Sequence, residues 1–115
     1  MIKRSADMET EVRERMREGA GTVEILHIFR KEELKGRVRL FALLRLPKGC
    51  SIGYHAHDKE DEIFYILSGS GLATDNGTPA LVGPGDAILT GGGGSHSIEN
   101  RGDEPLELLA AILPY

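Results

Sequence analysis

The stretch Gly49-Cys50-Ser51-Ile52-Gly53-Tyr54-His55-Ala56-His57-Asp58-Lys59-Glu60-Asp61-Glu62-Ile63-Phe64-Tyr65-Ile66-Leu67-Ser68-Gly69 carries both the architecture and the chemistry of this chain. Residues 51–57 and 62–68 are short runs rich in apolar, aromatic and β-branched side chains, set off by Gly49, the charged residues 58–61 and Gly69, and each reads as a strand. On the first strand His55 and His57 are two apart, so both project from one face with Cα atoms about 6.6 Å apart, while Tyr54 and Ala56 face the other way. Two imidazoles so placed can converge on one ion at N–metal distances of about 2.0–2.1 Å. Solvated or structurally hydrogen-bonded histidines share the same spacing, and the pair alone does not decide between these readings.

Glycine and proline divide the surrounding sequence in the same way. The chain holds 15 glycines and 5 prolines, and from residue 47 to 105 they recur in Pro47-Lys48-Gly49, Gly69-Ser70-Gly71, Asn76-Gly77, Gly83-Pro84-Gly85, Gly91 to Gly94 and Gly102. Turn signals about 8–12 residues apart around short strands mark a β-sandwich or barrel. Asn76-Gly77 is the strongest hairpin signal, since both residues tolerate positive φ. Strands are expected near 22–29, 37–46, 51–57, 62–68, 70–74, 79–82, 86–90, 95–99 and 105–113, with one helical turn near 30–35.

The first 21 residues read differently. Met8, Val12 and Met16 recur every four positions, and Glu9–Arg13 and Glu11–Arg15 have the i,i+4 spacing worth about 0.2–0.5 kcal/mol per pair in a helix. With Ser5 as N-cap, Asp7 in the first turn and Gly19-Ala20-Gly21 as the stop, an N-terminal helical arm over 1–21 is expected, followed by a β-barrel domain over 22–115. Its apolar stripe is too thin for a core and suits the outside of the barrel or a partner subunit.

Composition narrows the function. A chain of 115 residues fits one domain, which excludes an enzyme with a separate cofactor domain. Eighteen acidic against 14 basic side chains give a charge of −4, which argues against a dedicated nucleic-acid binder. The lone Cys50 cannot close a disulfide within the chain, and it reads as an inert, partly buried thiol. The longest apolar runs, Leu40–Leu44 and Leu108–Leu113, fall short of the ~18 residues of a membrane helix. The first seven residues run into charge rather than an apolar signal core, so a cytoplasmic protein without membrane association is expected.

The quoted stretch fits the pattern G-x5-H-x-H-x3-4-E-x6-G through Gly49, His55, His57, Glu62 and Gly69. Further on, Gly85, Gly93, His96 and Asn100 fit G-x5-P-x-G-x2-H-x3-N, with Gly91 standing at the proline position. These are the two motifs of the cupin superfamily, and residues 37–113 resemble a small single-domain cupin of the oxalate-decarboxylase-like kind. The resemblance implies an all-β, antiparallel jelly-roll barrel, and His55, His57, Glu62 and His96 as ligands of one divalent metal inside it. Three imidazoles and a carboxylate suit Mn, Fe, Co, Ni, Cu or Zn, without the thiolates of a structural zinc site. In an octahedral ion, four protein ligands leave two positions for a small oxygenated molecule such as an organic acid or sugar. Decarboxylase, dioxygenase and isomerase chemistry all fit that frame, as does a non-catalytic module that binds or senses a small ligand. The resemblance also implies a homodimer, for which the outward Ile63, Tyr65 and Leu67 would supply an apolar face.

Other patterns fail or stay subsidiary. The H-x-H-x-D-H phrase of metallo-hydrolases begins at His55 but meets Lys59 and Glu60 at its last two positions. Gly91–Gly94 lacks the Gly-Lys-Ser/Thr continuation of a phosphate loop and reads as a flexible turn. Asp58, Glu60 and Asp61 read as a solvated acidic loop, with Glu60 a second choice for the carboxylate ligand. His27 reads as hydrogen-bonded or interfacial. One of Arg37, Arg39 and Arg45 is expected to reach a carboxylate at the barrel mouth, while Phe64 and Ile66 wall the site.

Overall fold

In the run Leu106–Pro114, Leu106, Leu108, Ala110 and Ile112 alternate with Glu107, Leu109, Ala111 and Leu113, and only the first set is buried. Period-two alternation of this length buries one face of a strand and makes it a sheet centre. A computed structural model describing residues 1–115 shows ten strands: β1 (Glu9–Glu14), β2 (Thr22–His27), β3 (Leu40–Leu46), β4 (Ser51–Ala56), β5 (Glu60–Ser68), β6 (Gly71–Asp75), β7 (Thr78–Val82), β8 (Ala87–Thr90), β9 (Ser95–Glu99) and β10 (Leu106–Pro114). They form a six-stranded sheet, β1-β2-β3-β10-β5-β8, and a four-stranded sheet, β4-β9-β6-β7, with every neighbouring pair antiparallel.

The two sheets pack face to face as a jelly-roll barrel, as expected. Val23, Leu44, Phe64, Ile66 and Leu108 of one sheet meet Ile52 and Ile98 of the other, all at most 2% exposed. Each strand expected from residue 22 onward is present within a few residues, and the single turn near 30–35 is a 3-10 turn at Lys31–Glu33. Asn76 (φ 46°) and Gly77 (φ 83°) close the β6–β7 hairpin as a pair of left-handed residues.

The N-terminal helix is not there. Residues 5–7 and 16–18 are single 3-10 turns, and β1 between them pairs with β2 from Glu9↔His27 to Glu14↔Thr22. A solitary helix of this length is marginal in water, and a few ion pairs do not offset its nucleation. The open edge of β2 offers a full row of backbone partners instead. The acids paired on helical spacing find other partners: Glu9 bonds Arg30, and Glu11 bonds His27 at 2.7 Å and Arg13 at 3.2 Å.

Candidate metal centre

β4 and β9 are neighbours, and their register sets His55 directly opposite His96. The pairing slips between Ile52 and His55, an irregularity of the kind that re-aims side chains beside functional sites. Glu62, near the start of β5, points inward in line with Phe64 and Ile66. The four residues named from the motifs thus come from β4, the residue just beyond it, β5 and β9, and they meet between the sheets. His57, Glu62 and His96 are 2%, 4% and 2% exposed, and His55 is half-buried.

Their donor atoms converge. His57 Nε2 lies 2.9 Å from His55 Nε2 and 3.1 Å from His96 Nε2, and the His55–His96 separation is 3.3 Å. Glu62 Oε1 stands 2.8 Å from His57 Nε2 and 2.9 Å from His96 Nε2. One donor atom from each of the four falls within 4.8 Å of the others, so the group could hold a metal ion. Two donors at right angles on an ion with bonds of about 2.0–2.1 Å would sit about 3 Å apart, which these separations match.

The other ring nitrogens fix the tautomers. His55 Nδ1–H donates to the Gly53 carbonyl at 2.6 Å, and His57 Nδ1–H donates to Glu60 Oε2 at 3.0 Å. A carbonyl and a carboxylate only accept, so in neutral rings both Nε2 atoms present lone pairs to each other across 2.9 Å. That is repulsive unless a cation lies between them. His96 Nδ1 meets Thr90 Oγ1 at 2.9 Å, and the ring stacks on Phe64 with centroids 4.8 Å apart. Carbonyl, carboxylate and hydroxyl behind the three rings form the outer layer of hydrogen bonds that orients metal-ligating histidines.

Burial favours the neutral form of the His55 ring. Burial pushes the His55 imidazole below its ordinary value; the bond to Gly53 opposes this, and the positive potentials of His96, His57 and Arg17 add to the lowering. Glu60 is neither a solvated loop residue nor one of the four donors. Burial works to raise its carboxyl, but bonds from Arg39 and His57 outweigh it and hold the group below the usual carboxylate range.

The glycine run has a specific task. The His57 N–H donates to the Gly94 carbonyl, and the Gly93 N–H donates to the His57 carbonyl, both at 2.9 Å. Gly92 and Gly93 hold φ of 63° and 85°, which most side chains resist. At Gly91, where the motif has proline, an added Cβ would fall 1.9 Å from Asp61 Oδ1. Asn100, the last motif position, is structural: its amide donates to the Leu46 and Glu104 carbonyls, both at 2.9 Å, and its Oδ1 accepts from Gly102 N–H.

A cavity of about 250 Å³ opens onto His55, His57 and Glu62. Ile25, Leu44, Ile52 and Phe64 wall it, whereas Ile66 packs deeper in the core. Of the three arginines only Arg39 lines the cavity, paired with Glu60, and all three are exposed. His27 lines it too, hydrogen-bonded to Glu11. Tyr54 and Tyr65 point outward, and Cys50 is buried and free. Arg17 and Lys31, which also line the cavity, carried no signal in the sequence because distant segments bring them there.

The comparisons agree with this geometry. The cupin domain model matches residues 42–112. An oxalate-binding protein of Thermotoga maritima is 45% identical over 113 residues, covering 98% of this chain and 93% of that protein. The crystal structure of a predicted oxalate decarboxylase from Thermotoga maritima superposes with a TM-score of 0.94 at 44% identity, covering 100% of both chains. A sugar phosphate isomerase of the cupin superfamily from Silicibacter pomeroyi shares the fold at a TM-score of 0.69 and 21% identity, over 81% of this chain and 60% of that one. Motif spacing, two-sheet architecture and these matches place the chain in the cupin family.

Proposed function

We propose that His55, His57, Glu62 and His96 hold one divalent transition metal, Mn, Fe, Co, Ni, Cu or Zn, and that the protein acts on or binds a small oxygenated organic molecule there. The convergence of three imidazoles and one carboxylate, with a ligand atom from each within 4.8 Å of the others, carries this reading. Such an ion would supply Lewis-acid or redox chemistry to a chelating carboxylate or hydroxyl. The chain's own residues do the rest: Gly53, Glu60 and Thr90 fix the rings, the aliphatic wall excludes water, and Arg39 holds Glu60 in place. The relative described as oxalate-binding supports an organic acid, and the isomerase neighbour shares only the fold.

Two readings of the same centre differ in turnover. His27, bonded to Glu11 on the cavity wall, is a lining side chain outside the donors suited to proton transfer, and it favours an enzyme. A binding or sensing module is favoured by the lack of any nucleophile–base pair beside the centre, and by a relative named for binding. Metal analysis followed by a decarboxylation, oxygen-uptake and isomerisation screen over small acids and sugars separates them. Turnover supports the enzyme, and metal-dependent binding without turnover supports the module.

We also propose a cytoplasmic homodimer. The free Cys50 fits a reducing compartment. On the outer face of the six-stranded sheet Ile63, Tyr65, Leu67 and Leu89 are 38–65% exposed, with Ile63 directly opposite Leu89. A monomer would leave this apolar patch in water. Sedimentation at micromolar concentration should give twice the chain mass, and a monomer would remove the proposal.

A further inference from the structure

Five basic side chains line the cavity, Arg13, Arg17, Arg30, Lys31 and Arg39, against one acid, Glu62. In a chain of net charge −4, this gathers positive potential at the entrance to the site. Arg13, Arg30 and Arg39 are paired with Glu11, Glu9 and Glu60. Arg17 and Lys31 form no ion pair.

The Arg17 backbone is held firmly, and its exposed side chain extends from it to the cavity. The backbone is left-handed (φ 54°, ψ 38°) in the turn Met16–Glu18, and that turn lies flush on β4. A Cβ at Gly53 would fall 1.9 Å from the Arg17 carbonyl oxygen, so only glycine permits the approach. Just beyond the turn, Ala20 N–H donates to Ser51 Oγ at 2.8 Å. Gly53 is also the residue whose carbonyl orients His55, so the arginine and the donor set share one anchoring point.

We propose that Arg17, seconded by Lys31, determines specificity for a ligand with two anionic groups. One end meets the four-donor centre, and the other, a carboxylate or phosphate a few atoms away, is taken by the guanidinium. The inference rests on the metal reading above and narrows its ligand class. A neutral sugar leaves both cations unanswered, and a two-carbon diacid that chelates through both ends has no group left for them. The volume, about 250 Å³, lies below the ~300–1,000 Å³ of drug-sized pockets and suits a ligand of a few carbons.

The test is calorimetry on the Mn(II)-loaded full chain with L-lactate, L-malate and 3-phosphoglycerate, which share a 2-hydroxy acid end and differ in the second charge. Malate or 3-phosphoglycerate should bind at least roughly tenfold more tightly than lactate, as expected for one bidentate charge-assisted contact. Arg17→Gln should abolish that margin with metal content and melting temperature unchanged, Lys31→Gln should reduce it, and Arg17→Lys should restore part. Malate ahead of 3-phosphoglycerate assigns a carboxylate to the remote end, and the reverse order assigns a phosphate. Equal affinity for lactate and both dianions, or a margin that survives Arg17→Gln, overturns the inference while leaving the metal centre standing. Failure of the wild type to take up Mn(II) or any other transition metal overturns the metal reading itself.

Discussion

Glu60 stands directly behind His57: its Oε2 accepts the His57 Nδ1–H at 3.0 Å and an Arg39 N–H at 2.8 Å. The carboxylate thus fixes the ring tautomer that leaves Nε2 free, and Arg39 fixes the carboxylate. Glu60→Gln keeps the shape but weakens the acceptor, so metal affinity should fall about 10–100-fold, the usual cost of losing such a partner. Competition with a fluorescent chelator measures this, and an unchanged affinity would make Glu60 a bystander.

Gly53 tests the N-terminal turn. An alanine there would place Cβ 1.9 Å from the Arg17 carbonyl oxygen, and backbone cannot give way as a side chain can. Gly53→Ala should cost about 2–3 kcal/mol or more through overpacking. Gly49→Ala, with positive φ but open space around it, should cost only about 1–2 kcal/mol. Chemical denaturation of both variants gives the comparison, and equal losses would contradict it.

Asn100 is fully buried with its amide shared by two carbonyls. Asn100→Ala strands both carbonyls and the Gly102 N–H, for an expected loss of about 2–4 kcal/mol. Metal binding at 20 °C should survive wherever the variant stays folded. A melting temperature equal to that of the wild type would show that the loop does not depend on this side chain.

The pH dependence follows from His55. Its folded-state pKa lies below the ordinary 6.5, chiefly through burial, so the unfolded chain takes up a proton first as the pH falls. The stability tied to its neutral ring is therefore fully present above about pH 6.5 and is lost as the pH drops through the folded value. A proton competes with a metal for the same Nε2, so occupancy should also fall below about pH 6. Melting curves of the metal-free protein and metal content from pH 8 to 4 check both. Full occupancy at pH 4 would contradict the assignment.

The strands were legible because glycine and proline punctuate runs whose alternation matches the buried and exposed faces found, as in β5 and β10. The four donors were legible because motif spacing survives folding: His55 and His57 share a face, and the hairpin between β5 and β9 returns His96 to them. The N-terminal strand was not. All six residues of β1 are at least partly exposed, so the strand carries no burial alternation, and the repeat of four that runs through it from Met8 by Val12 to Met16 imitates a helix. Pairing with β2 decides it, which is a long-range fact. The same holds for Glu60 and Arg17, whose roles depend on Arg39 and Gly53 arriving from elsewhere in the chain.

Metal titration of chelator-stripped protein, read by equilibrium dialysis and elemental analysis, tests the centre most directly. The wild type should bind one transition-metal ion per chain, with His57→Ala and His96→Ala each losing it while remaining folded by circular dichroism. Binding that is absent in the wild type, or undiminished in both variants, would contradict the account.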